Sequence, residues 1–598
     1  MKKIFLLSAI TFLTISSFSQ TIQPSRRVLW SGAGSFDNTN PVITNVLNAM
    51  AYGAHGDGVT DDYGAITNVI SSLGGHAGVI YFPPGNYLIK SPLSLPDSVI
   101  LRGECNDSTS FTFQMSSTGY DCIDAIGTNN GTFRNIVAGF SKDTNVVVLD
   151  SVTGFNIGDW AEIKETNGAW NTVPANWAVD CVGQLVQITG INGNNLTFQN
   201  PLRITYSPAL NPMIRKFTPR VFVGIEDIKI YRNDSLPLSG GYTINFLNAV
   251  NCWVKGVESA HAMGAHVTIN VSSNISVTGC YFHDASAYDG ASTRGYGVMM
   301  IQHSGQCLVE NNIFNHLRHS IICKQGANGN VAGYNYCNNG YRSETIHDYG
   351  ADLVCHGHYG FANLFEGNIV NNISVDSTWG PTGPYTTFYR NRASLYGILM
   401  TSGASVLSDT LNFVGNETTD NAFLHGLYSL AGINHFEYGN NILGTITPAG
   451  TTNLTDTSYY RTSFSDFWST APFPPTVGEP IPLGTGTNPA KTRSASGGRL
   501  TVSPNPPCNT VGISTINSNE DISIYPNPAS TSFFVRINNN TSTNLEIIDV
   551  NGRLIHAENV PQGVSLTEIN TSTYSNGIYF VRLISDKQVL VRKLAIDN

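Results

Sequence analysis

The chain has 598 residues, with 32 Lys and Arg against 42 Asp and Glu and a formal net charge of −10. Hydrophobic residues make up 41 %, aromatics 10 % and charged residues only 12 %. These proportions exclude a chain disordered throughout, which needs few aromatics and a high net charge. They also exclude a heptad coiled coil and a duplex nucleic-acid binder, which needs a basic excess to displace counterions. What remains is a weakly charged, Gly-, Ser-, Thr- and Asn-rich chain with enough apolar residues for a large core, suited to a secreted all-β protein.

The first twenty residues, MKKIFLLSAITFLTISSFSQ, read as a signal peptide over 1–19. Lys2 and Lys3 form the positive end, Ile4 to Ile15 the apolar run, and Ser17 and Ser19 take the −3 and −1 positions of a cut before Gln20. That run is too short to cross about 30 Å of hydrocarbon. No later stretch of 18 apolar residues occurs, so no transmembrane segment is expected and a monomer is the expected state. Export permits disulfides among the ten Cys. Cys105 and Cys122 are a candidate pair, whereas Cys280, Cys323, Cys337 and Cys355 suit burial as small hydrophobes at least as well as pairing.

Residues 20–484 are expected to form one large domain. Near its start lie Tyr52-Gly53-Ala54, Gly56-Asp57-Gly58, Asp61-Asp62, Ala65-Ile66 and Phe82-Pro83-Pro84-Gly85-Asn86-Tyr87, within 51–89. This motif resembles the N-terminal cap of the pectate-lyase superfamily, shared with polygalacturonases, rhamnogalacturonases and phage tailspikes. The resemblance implies a right-handed parallel β-helix but no particular activity, which has to be argued from a site. Asp57, Asp61 and Asp62 fit a turn and the start of a helix over 62–72 better than a metal loop. Residues of about 144–215 alternate around Asn-Gly turns and read as an inserted β module. Its Trp160, Trp170 and Trp177 suit either internal packing or a sugar platform.

A repeat follows over about 221–445. The runs Trp253-Val254-Lys255-Gly256-Val257, Ser276-Val277-Thr278-Gly279-Cys280 and Leu308-Val309-Glu310-Asn311-Asn312 align with Leu364-Phe365-Glu366-Gly367-Asn368. Asn recurs at 312, 335, 368, 391, 416 and 440, in steps of 23, 33, 23, 25 and 24. A period near 23 with one insertion is a solenoid signature. Each unit is too short for two helices and rich in strand formers, so one unit is one β-coil, with stacked Asn satisfying turn groups. Insertions at about 283–296 and 338–352 leave the same edge two coils apart, where they would wall a groove.

The groove would collect Arg, Lys and His in a chain poor in charge. Counting back from the Asn column aligns Gln302 with Gln325 and with His358 on the next coil, and His303 with Gly326 and Tyr359. Lys324 then falls on the opposite parity, pointing into the bore, where its charge would be expensive. A bend, or a register one residue off, would re-aim it. For a lyase, Arg318, Arg342 and Lys324 are candidates to neutralise a uronate carboxylate. His356 or His358 is the candidate base. Gln302, His303, Gln325, Tyr359, Trp379 and His319 are candidates for substrate contact. Asp348 and Asp352 are the candidate ligands of a Ca2+ ion, a site that needs several oxygens. His356 and His358 with His347 form a weaker zinc pattern. A glycoside hydrolase needs two carboxylates about 5–9.5 Å apart. Asp284 with Asp289 and Asp348 with Asp352 share loops, and Glu310 and Glu366 share a register position with Gly333 between them. The polygalacturonase-type pattern of Asn-Thr-Asp with a vicinal Asp pair is absent.

From 485 to 520 the chain is Gly-, Pro-, Ser- and Thr-rich and reads as a linker. Short alternating strands over 521–598 then suggest a small β-sandwich, with Asn551-Gly552 as a hairpin turn. Tyr525-Pro526-Asn527-Pro528, Asp549-Val550-Asn551-Gly552-Arg553, Asn576-Gly577-Ile578-Tyr579-Phe580-Val581 and Arg592-Lys593-Leu594 carry a further resemblance. It is to the C-terminal sorting domain of the type IX secretion system of the Bacteroidota, and it implies that export machinery as a partner. The expected function is cleavage of a polysaccharide, by β-elimination on an acidic glycan or by hydrolysis. The rival is a non-catalytic, glycan-binding surface protein.

Overall fold

The computed structural model describes residues 21–34, 43–115, 119–234, 241–401, 405–463, 476–479, 482–502, 522–537, 543–549, 553–563, 566–584 and 589–597. The expected signal peptide, the Asn551-Gly552 turn and the stretch 503–521 lie outside them. The chain divides into two compact units after residue 508.

The first unit is a right-handed parallel β-helix carrying an inserted barrel. One coil shows the plan. Ser276–Thr278 lies on a first face, Tyr281–Ala285 on a second and Tyr296–Ile301 on a third, and Leu308–Glu310 returns to the first. Each strand pairs in parallel with its counterpart one coil on. Inward side chains then stack in columns. On the first face, Val254, Val277, Val309, Ala332, Phe365, Phe388 and Phe413 follow one another in register. The last three rings stack face to face, with centroids 4.9 and 5.1 Å apart. Cys280, Cys307, Cys323, Cys337 and Cys355 are buried free thiols in the same core. Cys105 is disulfide-bonded, but not to Cys122, whose buried thiol is free.

The turns between faces bury backbone polar groups that need partners. A column of asparagines supplies them. Asn312 donates from its backbone and its amide to the Asn335 carbonyl oxygen, and Asn335 does the same to Asn368. The pattern continues through Asn391, Asn416 and Asn440. Each amide also donates to a main-chain carbonyl, as Asn391 does to Phe365. All six are fully buried.

Tyr63–Ser72 forms the capping helix beside the first coils. The Asp57, Asp61 and Asp62 carboxylates accept from nearby backbone N–H groups, of Val59 and Thr60, Tyr63 and Lys90, and His55 and Gly56. They close turns, although Asp62 makes no side-chain cap to the helix.

The insert is larger than its alternation suggested. Six antiparallel strands from Arg134–Ala138 to Met213–Phe217 close into a barrel. It docks on the turns that join the third face to the first. His303 there faces Glu162 at 2.8 Å and the Asp180 carbonyl at 2.6 Å, and Arg203 donates to Asn328 at 2.7 Å. Burial opposes the charge on Glu162, but His303 and Arg215 outweigh it and hold the carboxyl at about 2. Gly326 permits the approach, since a β-carbon there would lie 1.5 Å from the Cys181 carbonyl oxygen.

The expected linker begins later than 485. Pro489–Ala495 is a helix seated on the β-helix, with Asn488 donating to the Asn335 and Gly367 carbonyls. Arg493 donates to Asn311, and Val502 to the Gly279 carbonyl. The second unit is a small antiparallel β-sandwich of a three-stranded and a four-stranded sheet. Phe533, Val535, Leu545, Ile547, Val581 and Leu594 fill its core.

Asn391→Leu keeps the branching at Cγ but takes the acceptor from the Asn368 N–H and amide and the donor from the Phe365 carbonyl. The β-helix should lose about 2–4 kcal/mol in urea unfolding of the full chain. A loss under about 1 kcal/mol would show that the ladder is dispensable.

Candidate active site

The third face has an apolar outward floor. Met299, Ile322 and Val354 stack on consecutive strands and are buried. Beside them runs a polar column one position further along each strand. Met300 pairs with Cys323 and Cys323 with Cys355, so Ile301, Lys324 and His356 follow in line. His356 in turn pairs with Asp376. Neighbouring strands are about 4.8 Å apart, which brings Lys324, His356 and Asp376 within reach of one small group.

This register corrects two expectations. His356, not Gln325 or His358, continues the polar column. Lys324 lies outside the bore, because Cys323 is the residue that points in. Asp376, which no motif marked, completes the group. Its carboxylate meets His356 Nδ1 at 2.5 Å. A carboxylate there fixes Nδ1 as the protonated nitrogen, leaving Nε2 as the basic atom. Burial opposes the charge on Asp376, but His356 prevails and holds its carboxyl below the usual range.

Burial pushes the half-buried Lys324 amine down to about 8, Arg318 adds to this, and Asp376 opposes it. Trp177 of the barrel insert lies over the ammonium, 5.2 Å from ring centroid to Nζ. At the other end of the strands, Arg318 covers the Tyr296 ring at 5.6 Å and donates to the Ser292 carbonyl at 3.3 Å. His319 Nδ1 donates to the Ala351 carbonyl, so Nε2 keeps its lone pair. Burial lowers this imidazole to about 3.

The expected insertions form one wall. Gly290 donates to Glu344 at 2.6 Å and the Tyr288 and Tyr341 rings meet edge to face, tying 286–295 to 339–352. The barrel insert forms the opposite wall. The cleft therefore crosses the strands between the two.

Several candidates serve the walls instead. Gln302 donates to the Val179 carbonyl and Gln325 to the Trp177 carbonyl, and His303 is buried in the barrel dock. All three hold the insert in place. Arg342 is folded into its own loop, donating to the Thr345 and Ile346 carbonyls. His358 is fully buried between Trp177 and Trp379, and among the described residues neither ring nitrogen has a hydrogen-bond partner. Burial, then Lys324 and His356, lower it to about 4, so it is neutral and a poor base near pH 7. Tyr359 stacks on Trp170 beyond that wall.

The metal candidates do not converge. Asp348 accepts from Tyr396, whereas buried Asp352 accepts from Ser320 and Asn371 and is pushed up to about 6 by burial. His347 contacts the Arg342 carbonyl in its own loop. Among the described residues no three His, Cys, Asp or Glu side chains are grouped as metal ligands. The hydrolase carboxylates are likewise occupied. Glu310 pairs with Arg461 and Tyr460, Glu366 with Tyr334 and the Tyr459 N–H, Asp284 with His283 and His316, and Asp289 with Arg294.

Residues 46–206 match the family described as rhamnogalacturonase A/epimerase, pectate lyase-like, and residues 523–597 the secretion system C-terminal sorting domain. Two curated proteins of Penicillium expansum share short segments with the chain. They are described as the non-secreted LysM effectors LysM19 and LysM15. The first is 38 % identical over 61 residues and the second 47 % over 57 residues. These cover 10 % and 8 % of this chain, which spans only 5 % and 4 % of the two proteins. Among solved structures, the tailspike protein gp49 from Pseudomonas phage LKA1 has a TM-score of 0.47 at 15 % identity, covering 62 % of this chain and 64 % of its own. An exopolygalacturonase from Thermotoga maritima has a TM-score of 0.37 at 12 % identity, covering 66 % and 83 %. PfbA, a surface adhesin of Streptococcus pneumoniae, has 0.33 at 14 %, covering 63 % and 86 %.

The Lys324 amine is lower in the folded chain than its usual 10.5. Between about pH 8 and 10.5 the unfolded chain therefore binds more protons, and stability rises with pH across that window. Below it the buried charge is a cost. Lys324→Met should be more stable than the parent at pH 7, by about 1–3 kcal/mol, with the difference closing above pH 10. Urea unfolding at pH 7, 9 and 10 measures this, and a variant less stable than the parent at pH 7 would refute it.

Proposed function

We propose that this chain, a pectate-lyase-like β-helix exported by the type IX route on its C-terminal sorting domain, is a polysaccharide lyase acting on a uronate-containing glycan. The observation that carries this reading is the Lys324–His356–Asp376 column, with Arg318 acting on the same cleft. It couples cations to a carboxylate-oriented imidazole. The carboxylates of this column and its surroundings do not form a free pair of the kind hydrolysis requires.

In the proposed reaction the Lys324 ammonium and the Arg318 guanidinium neutralise the uronate carboxylate. That neutralisation acidifies the proton on the adjacent carbon. His356 Nε2 takes the proton, and Asp376 stabilises the imidazolium. The released electron pair forms the carbon–carbon double bond and expels the glycosidic oxygen on the next carbon. The imidazolium then returns its proton to that oxygen, so charge and protons balance. Trp177 shields Lys324 from water, which strengthens its hold on the carboxylate.

Incubation with acidic and neutral polysaccharides should raise unsaturated-uronate absorbance together with reducing ends. His356→Ala and Lys324→Ala should each lower kcat/KM by about 10²–10⁴. The pH profile separates two roles for Lys324. As a cation it makes activity fall above about pH 8, and Lys324→Arg should carry that limb upward. Activity rising through pH 8 would make Lys324 the base instead. Reducing ends without absorbance would replace elimination by hydrolysis.

A further inference from the structure

A cavity of about 450 Å³ lies on the far side of the Trp177 wall. Its position follows from the turns that end the catalytic strands. Tyr359 lies three residues after His356, and Pro381 five after Asp376. Both line the cavity with Trp170, Pro384 and Asp409. Trp170 and Trp177 come from the same stretch of the barrel insert, so one loop borders both the cleft and the cavity. The volume falls within the roughly 300–1,000 Å³ of small-molecule sites.

The lining suits a pyranose ring. The Trp170 and Tyr359 rings, stacked on each other at 4.9 Å and 26°, both line the cavity and give it an aromatic wall. Gly383 lies against that wall, where a β-carbon would sit 2.9 Å from the Tyr359 ring. Leu407 and Ile433, which also line the cavity, stay 39 % and 52 % exposed, an apolar rim open to solvent. Asp409 supplies the polar contact. One oxygen accepts from Thr410 and Asn434, and among the described residues no donor reaches the other. Thr382, 2 % exposed in the wall, has a hydroxyl with no hydrogen-bond partner among the described residues.

Charge sets the class of ligand. Among the described residues no Lys or Arg lines the cavity, and its one charged group is the Asp409 carboxylate. A uronate would be repelled there, whereas a neutral sugar offers hydroxyl donors to Asp409 and C–H faces to the rings. We infer that the cavity is a subsite for a neutral sugar residue of the same glycan that places its uronate beside Lys324. This inference rests on the lyase reading for its second half only.

The full chain should be titrated with methyl glycosides of glucose, galactose and rhamnose, read by tryptophan fluorescence and calorimetry. At least one should bind. Trp170→Ala and the exposed-rim variant Leu407→Asp should weaken that binding tenfold or more, and Lys324→Ala should leave it unchanged. On a mixed uronate polymer, Leu407→Asp should raise KM several-fold while kcat holds. No binding by any glycoside, or binding unaltered in both Trp170→Ala and Leu407→Asp, would overturn the subsite. Glycoside binding in a chain that yields no unsaturated product would keep the subsite and remove the lyase reading.

Discussion

The pitch of the asparagine ladder is the constraint on which the rest of the structure depends. Each amide bridges a turn to the next coil at a fixed hydrogen-bond length, so successive coils cannot slip along their strands. A slip of one residue would turn every inward side chain outward. It would also scatter any outward column. The ladder therefore does two jobs with one interaction. It keeps Phe365, Phe388 and Phe413 stacked in the bore, and it holds Lys324, His356 and Asp376 in line outside.

A bare β-helix face is flat, and flat faces bind sugars weakly because they exclude little water. The barrel insert changes this. Its contacts absorb Gln302, His303, Gln325 and Asn328, the polar residues nearest the cleft. In exchange Trp177 is carried over Lys324 and Trp170 over Tyr359. The depressed amine of Lys324 agrees with that cover, since its largest cause is burial. Docking chemistry and site chemistry are thus linked through a single loop, and Gly326 is the close contact that lets the loop sit down.

Much of this was legible in the chain itself, and the failures have a physical origin. The ladder positions 312 to 440, the return of Glu310, Gly333 and Glu366 to one register, and the two loop walls all followed from the period. Counting back a constant number of residues from each asparagine misplaced the column. Lys324 precedes Asn335 by 11 residues, His356 precedes Asn368 by 12, and Asp376 precedes Asn391 by 15. Strand pairing fixes register along each face, but turns of differing length between faces do not affect it. The turn after His356 holds Gly357, His358 and Tyr359, all in the left-handed region, where the turn after Lys324 holds only Gln325 and Gly326. One extra residue in that turn shifted every count, and a longer turn hid Asp376 altogether. The barrel was underestimated for a related reason. Antiparallel alternation marks strands, yet closure depends on the Arg134–Ala138 strand pairing with both Val146–Leu149 and Met213–Phe217, a long-range contact with no local signature.

Those same turns explain how chemistry can change on this scaffold without loss of fold. The energy of the helix lies in the bore and the ladders, neither of which touches the outward columns. An outward side chain is free to be Ile301 on one coil, Lys324 on the next and His356 on the next, at no cost to stacking. A residue added to a turn leaves the strands paired but changes which side chain meets the insert: His358 lies under Trp177, while Gly326, two positions past Lys324, meets the Cys181 carbonyl. The reactive column is therefore encoded by strand register, and its walls and neighbouring cavity are encoded by turn length. The two can vary independently, which is why a recognisable cap and repeat announce the fold so clearly and the reaction so faintly.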